Sequence, residues 1–158
     1  MSKKKVIREN LRLHREEAEG YEDEKTEIFN SWEKERIISM IEEAGDLIDT
    51  EGAEMKALDL GCGTGNMLKK LAPYFDEVIG LDLSEEMLSK ARPISRQKDS
   101  VEIVRGRAAE LPFPDDYFDL VSAYSVFHHL PEFAGPISEV FRVLKRGGVF
   151  YVVHDPVN

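Results

Sequence analysis

The run Ala57-Leu58-Asp59-Leu60-Gly61-Cys62-Gly63-Thr64-Gly65-Asn66-Met67-Leu68 constrains this chain more than any other part of it. A short apolar segment enters three glycines at alternate positions, and a helix-forming stretch follows at once. A chain that turns from strand to helix without a linker must visit φ values that a Cβ forbids, so glycine is the residue the turn demands. A second apolar run, Val78-Ile79-Gly80-Leu81-Asp82-Leu83-Ser84, ends in an acid. The two together predict a βαβ unit with a ligand at its turn. Asp82 stands seventeen residues after Gly65, near the spacing at which such an acid accepts hydrogen bonds from ribose hydroxyls. A tight turn followed by an ordinary strand-end aspartate is the alternative.

The glycine spacing also says what the ligand lacks. A dinucleotide turn reads Gly-x-Gly-x-x-Gly, but here the order is Gly-x-Gly-x-Gly and Asn66 occupies the place of the third dinucleotide glycine. No Gly-Lys-Ser/Thr element supplies a triphosphate loop. The turn therefore suits a ligand that carries a ribose without phosphates, and a nicotinamide-dependent oxidoreductase is disfavoured.

From Lys56 onward, apolar runs alternate with helical stretches. Strands are expected at Lys56–Leu60, Glu77–Asp82, Val101–Arg105, Phe118–Tyr124 and Val149–His154, with helices at Asn66–Tyr74, Glu85–Arg92 and Glu132–Leu144. The strands are continuous apolar runs rather than alternating ones, which marks strands buried on both faces. Ser84 suits a helix start, Pro131 or Pro136 suits a first helical turn, and Gly147-Gly148 turns the last helix into its strand. The fold class is accordingly α/β: a doubly wound, mostly parallel sheet with helices on both faces, and a ligand beyond the carboxyl ends of the strands where their order switches. The first fifty residues are rich in Glu, Lys and Arg and read as helices, with Phe29, Trp32, Ile37, Ile38, Ile41 and Ile48 forming an apolar stripe. Residues 1–55 are expected to form an N-terminal helical cap over a core at 56–158.

Composition narrows the partners. A 158-residue chain with formal net charge −10 lacks the basic stripe of a nucleic-acid binder, so no nucleic acid is expected. No eighteen-residue apolar run exists to span a membrane. The single cysteine, Cys62, excludes an internal disulfide and a multi-cysteine zinc site, and a cytoplasmic home follows. Between two glycines, Cys62 matters more for its small size than for thiol chemistry.

These motifs resemble those of the class I S-adenosylmethionine-dependent methyltransferases. Asp59-Leu60-Gly61-Cys62-Gly63-Thr64-Gly65 is similar to the family's first motif and Leu81-Asp82-Leu83-Ser84-Glu85-Glu86-Met87-Leu88 to its second. Leu111-Pro112-Phe113-Pro114-Asp115-Asp116-Tyr117-Phe118-Asp119-Leu120-Val121 resembles the family's Leu-Pro-Phe turn and fourth strand. Val126-Phe127-His128-His129-Leu130 and Glu139-Val140-Phe141-Arg142-Val143-Leu144-Lys145-Arg146-Gly147-Gly148 resemble the next helix and its Gly-Gly turn. Their common order from Lys56 to Asp155 is more specific than any one of them. The resemblance implies a Rossmann-like methyltransferase fold with S-adenosylmethionine as cofactor. Asp59 would orient the glycine loop and the methionine ammonium, and Gly61, Gly63 and Gly65, with Cys62 between them, would let backbone pass close to the methionine part. Asp82 would take the ribose hydroxyls. Leu83 and Met87 would sandwich the adenine, plain core packing being the alternative. Tyr21 resembles the family's N-terminal tyrosine over the cofactor, and Tyr124 is counted with the cofactor-binding residues. Where the family often has Gly-Asp-Ala, this chain has Gly106-Arg107-Ala108. Arginine only donates, so the adenine amino group falls to the Ala108 backbone, with the Arg107 stem at most along the ring.

Methyl transfer rests mainly on positioning nucleophile, methyl carbon and sulfur in line. A general base is needed only when the acceptor arrives protonated, and His128 and His129, just past the fourth strand, are the candidates, packing being their alternative role. His154 and Asp155 also face the ligand end, but their spacing with the histidines matches no compact zinc motif, so no metal is expected. The acceptor is expected to be a small molecule. The resembled fold continues after the fifth strand with a helix and an antiparallel hairpin, whereas this sequence stops at Asn158. Either the core is C-terminally incomplete, the preferred reading, or a homo-oligomer or partner chain pairs with the fifth strand. A non-catalytic cofactor-binding or partner-dependent subunit is the alternative function.

Overall fold

The computed structural model describes residues 31–48 and 52–153. Helix α1 (Ser31–Leu47) precedes β1 (Lys56–Leu60), α2 (Asn66–Leu71), β2 (Glu77–Asp82), α3 (Glu85–Gln97) and β3 (Val101–Arg105). Then follow β4 (Phe118–Tyr124), a 3₁₀ turn at Phe127–His129, α4 (Ala134–Val143) and β5 (Leu144–Val153). The five strands form one sheet in the order β3-β2-β1-β4-β5, every neighbouring pair parallel. The order reverses between β1 and β4. That is the place where a doubly wound sheet opens a crevice at its carboxyl end.

The apolar runs behave as their continuity predicts. In β1, β2 and β4 nearly every residue is buried, because helices cover both faces. On one face Ile37, Ile41, Ala44 and Ile48 of the first helical segment join Met67, Leu68 and Leu71 of α2, and Leu88 and Ile94 of α3. The spacing of those four positions is one stripe of a helix. The other face is closed by Val140 and Val143 of α4 and by Leu111 and Phe127.

Four elements differ in their bounds from the sequence expectation. Helix α2 stops at Leu71 rather than Tyr74: Ala72 keeps helical dihedrals, but Pro73 has no N–H with which to continue the hydrogen-bond ladder. Helix α3 runs on through Pro93 to Gln97 instead of ending at Arg92. Pro93 is exposed, so the Ser89 carbonyl that it leaves without a helical donor faces water, and burial of Ala91 and Ile94 carries the helix past it. Strand β5 starts at Leu144 rather than Val149, and α4 spans Ala134–Val143 rather than Glu132–Leu144, with Pro136 in its first turn. Leu144 pairs with Phe118 and Val149 with Leu120, so the residues between them bulge out opposite Asp119. The Lys145 ammonium closes that bulge by donating to both Asp119 oxygens, at 3.0 and 2.9 Å. Tyr21, His154 and Asp155 lie outside the described residues, as do most of the proposed cap and the chain end.

Candidate cofactor site

The site grows from the carboxyl end of β1. The backbone N–H groups of Gly61 and Cys62 both donate to the Leu81 carbonyl, at 2.7 and 3.0 Å, which ties the glycine loop to the end of β2. The Gly63 N–H donates to Asp82 Oδ2 at 2.9 Å, and the Ser84 N–H donates to Asp82 Oδ1 at 2.8 Å. Asp82 thus fastens the glycine loop with one oxygen and the start of α3 with the other. Each carboxylate oxygen has a second lone-pair site, so acceptor capacity remains for a hydroxyl. Ser84 then caps α3, its hydroxyl accepting from the Met87 N–H at 3.3 Å.

Two glycines of the loop are required for different reasons. Gly65 has φ +88°, and a Cβ there would lie 2.4 Å from the Ile94 side chain, so it is a packing requirement between α2 and α3. Gly63 has φ +53° and a Cβ there would meet nothing within 4 Å. Its bare backbone faces open space. That space is a shallow cleft open to solvent, walled by Asp59, Gly61, Gly63, Thr64, Lys70 and Tyr124 and bordered by Ile37 of α1.

Asp59 occupies the crossing point of the strand order. It lies in register with Ser122 on β4, whose hydroxyl donates to Asp59 Oδ1 at 2.8 Å. The Asp59 carboxyl is buried, and that burial, with the Asp82 charge adding to it, pushes its pKa up to about 7 against the pull of Ser122 and Lys70. Cys62, also buried, has its thiol pushed up by burial and by the same two carboxylates. A thiol held neutral is a poor nucleophile, which agrees with a steric role.

The remaining expected residues fall in two places, beside Asp82 and in the turn after β4. The Gly106 N–H donates to the Asp82 carbonyl at 3.0 Å, which sets the turn of Arg107 and Ala108 beside the end of β2. Arg107 is exposed and Ala108 half-buried. Leu83 is half-buried, while Met87 is 1 % exposed. His128 is exposed and His129 half-buried in the 3₁₀ turn, their rings 3.9 Å apart. That turn adjoins the glycine loop through Val126, whose side chain would lie 2.6 Å from a Cβ on Gly61. Among the described residues no cluster of three His, Cys, Asp or Glu side chains is placed to hold a metal ion, and no helix is long and apolar enough to cross a membrane.

Sequence reasoning missed Thr64, Lys70 and Ser122. Ser122 carries no signal of its own, since only the β1–β4 register brings it to Asp59. Lys70 stands four residues after Asn66, a spacing that puts both on one side of α2.

Residues 58–152 match the family described as a methyltransferase domain. The chain is 36% identical over 132 residues to the uncharacterized methyltransferase YcgJ of Bacillus subtilis, covering 78% of this chain and 52% of that one. The crystal structure of YcgJ superposes with a TM-score of 0.66 at 31% identity, over 75% of this chain and 50% of that chain. A demethylmenaquinone methyltransferase of Staphylococcus aureus (strain MRSA252) is 40% identical over 98 residues, 60% of this chain and 41% of the relative. The chain spans about half the length of the curated relatives it matches. Motif order, sheet order and these likenesses agree: the chain belongs to the class I S-adenosylmethionine-dependent methyltransferase family.

Proposed function

We propose that this chain binds S-adenosylmethionine and transfers its methyl group to a small-molecule acceptor in the cytoplasm. The observation that carries the reading is the pair of carboxylates, Asp59 and Asp82, at the tips of adjacent strands on either side of a glycine loop whose Gly63 faces open space. The residues suit the cofactor. A sugar diol needs an acceptor of the Asp82 kind, an ammonium needs an anion of the Asp59 kind, and a methionine chain needs backbone without side chains, which Gly61, Gly63 and Gly65 supply.

When bound, the cofactor supplies an activated methyl on a sulfonium that leaves as a neutral thioether. The protein's part is to bind, orient and exclude water. Asp82 holds the ribose, Leu83 and the Ala108 backbone border the adenine, and Tyr21 and Tyr124 cover the tail. Met87, fully buried at the start of α3, packs in the core, its alternative to the adenine contact, and the exposed Arg107 lays its stem beside the ring. His128 or His129 accepts a proton where the acceptor is protonated, a contribution of roughly 100- to 10,000-fold. The outer strand β5, beside exposed Val152 and Phe141, takes a further strand from a longer polypeptide or a second chain.

Isothermal titration of the 158-residue chain tests the reading. Binding is expected with S-adenosylmethionine and S-adenosylhomocysteine and not with NAD. Asp82→Ala should weaken both by at least about tenfold, since a lost charge-assisted hydrogen bond is worth roughly 1.5–3 kcal/mol. No heat with either ligand, or unchanged affinity in the variant, overturns it.

A further inference from the structure

The neighbouring strands β1 and β4, in register up to Leu60 against Ala123, both leave the sheet through left-handed residues, Gly61 at φ +70° and Ser125 at φ +55°. They turn apart. Gly61 and Cys62 give their N–H groups to Leu81 on β2, whereas the Ser125 N–H donates to the Val153 carbonyl on β5 at 2.8 Å, just beyond the Tyr124–Val153 pair. This divergence opens the crevice. The side chain of Val126 reaches back across it and lies against Gly61, where a Cβ would come within 2.6 Å of Val126 Cγ2. Glycine takes such a φ freely, but serine does so at a cost and is not among the residues that tolerate it best, asparagine, aspartate and histidine. A residue with a Cβ keeps that conformation only where its surroundings over-determine it, and such residues gather at functional sites.

We infer that Ser125 is a positioning residue: its left-handed backbone, rather than its hydroxyl, holds Val126 on Gly61 and so fixes the glycine loop and the turn bearing His128 and His129 at one separation across the cleft. The inference rests on the cofactor reading above for what the cleft holds, and adds what sets its width. Val126 also anchors the turn, its carbonyl accepting from the His129 N–H at 3.1 Å. An extended or right-handed Ser125 would send the chain from Val153 in another direction, take Val126 off Gly61 and uncover the loop.

Variants of the full chain separate backbone from side chain. Ser125→Gly and Ser125→Asn accept a left-handed φ without the hydroxyl, whereas Ser125→Thr keeps the hydroxyl on a β-branched residue that resists that φ. Amide exchange of the ligand-free chain reads the positioning, and titration with S-adenosylhomocysteine reads its consequence. Ser125→Thr should speed exchange at Gly61 and Cys62 by about tenfold, leave Leu58 and Ile79 inside β1 and β2 protected, and weaken binding by about tenfold. Ser125→Gly and Ser125→Asn should stay within about twofold of the parent in both, the melting temperature of Ser125→Gly being raised. Val126→Ala, which removes the contact and leaves Ser125 in place, should reproduce the Ser125→Thr pattern. Parent behaviour in Ser125→Thr and Val126→Ala overturns the inference, as does a loss in Ser125→Gly equal to that in Ser125→Thr. Exchange that quickens equally at Leu58 and Ile79 means a merely structural role and also overturns it. All three results leave the cofactor reading standing, because the unaltered chain binds. If the unaltered chain binds no S-adenosylhomocysteine, the cofactor reading falls, and the exchange pattern still decides the positioning.

Discussion

Asp59 shows how burying a single carboxyl can cost the fold stability at neutral pH. In an unfolded chain its carboxyl titrates near 3.9, whereas in the native site burial raises the value to about 7. Between these values the folded protein keeps a proton that the unfolded chain has released. The stability contribution is thus fully present below about pH 4 and is lost as pH rises through about 7, a penalty on the order of 4 kcal/mol above it. Asp59→Asn keeps an acceptor for Ser122 and cannot ionise. Urea denaturation should find the variant more stable than the parent at pH 8, with the difference vanishing near pH 4, and titration should find its cofactor binding weakened. The two glycines make a second residue-scale contrast. Gly65→Ala places a methyl 2.4 Å from Ile94 with φ +88°, so thermal melting should show a loss of about 2 kcal/mol or more. Gly63→Ala meets no neighbour, so it should lose about 1–2 kcal/mol from φ alone while calorimetry shows the larger defect in ligand binding.

At the scale of elements, the segment following β3 is held by one arginine. Arg142 of α4 donates to the carbonyls of Leu111 and Phe113 at 3.0 and 2.8 Å, and pairs with Asp115 and Glu139. Glu139 in turn accepts from the Leu111 N–H at 2.7 Å, and the guanidinium holds its carboxyl below the usual range. The Leu-Pro-Phe turn legible in the sequence is therefore shaped from α4, some thirty residues later. A lysine has no fork with which to reach these acceptors together. Arg142→Lys is expected to cost about 1–3 kcal/mol and to speed amide exchange at Leu111 while β1 and β2 stay protected. The misjudged end of α3 belongs to this scale too. Proline predicts a break from local chemistry, and only the placement of Pro93 on the solvent side, with Ile94 against Gly65, lets the helix continue.

Across the molecule, the two ends of the sheet have different tasks. At the amino end, Asp119 accepts from the Lys56 N–H at 2.8 Å and from Lys145, joining β1, β4 and β5. Beside it Lys56 pairs with Glu77 at 3.0 Å and Tyr117 donates to Glu77 at 2.9 Å. This network stands at the opposite end from the cleft. Asp119→Ala should lower stability by about 1–3 kcal/mol, because it takes the acceptor from the part-buried Lys56 N–H and releases the bulge, while the affinity for S-adenosylhomocysteine measured on folded protein changes little. A comparable loss of affinity would mean that the sheet ends are coupled.

The sequence by itself determined the backbone of the site. Apolar runs without alternation required strands covered on both faces, alternate glycines required a turn straight into a helix, and an acid at the end of the next run required an acceptor beside that turn. These features are local, since φ, ψ and hydrophobic period are properties of neighbours along the chain. What the tertiary structure alone decided is the electrostatics and the boundaries. Ser122 meets Asp59, Ile94 demands Gly65 and Lys145 closes the bulge of β5 only because segments remote in sequence pack together. Burial and local dielectric exist only once they do.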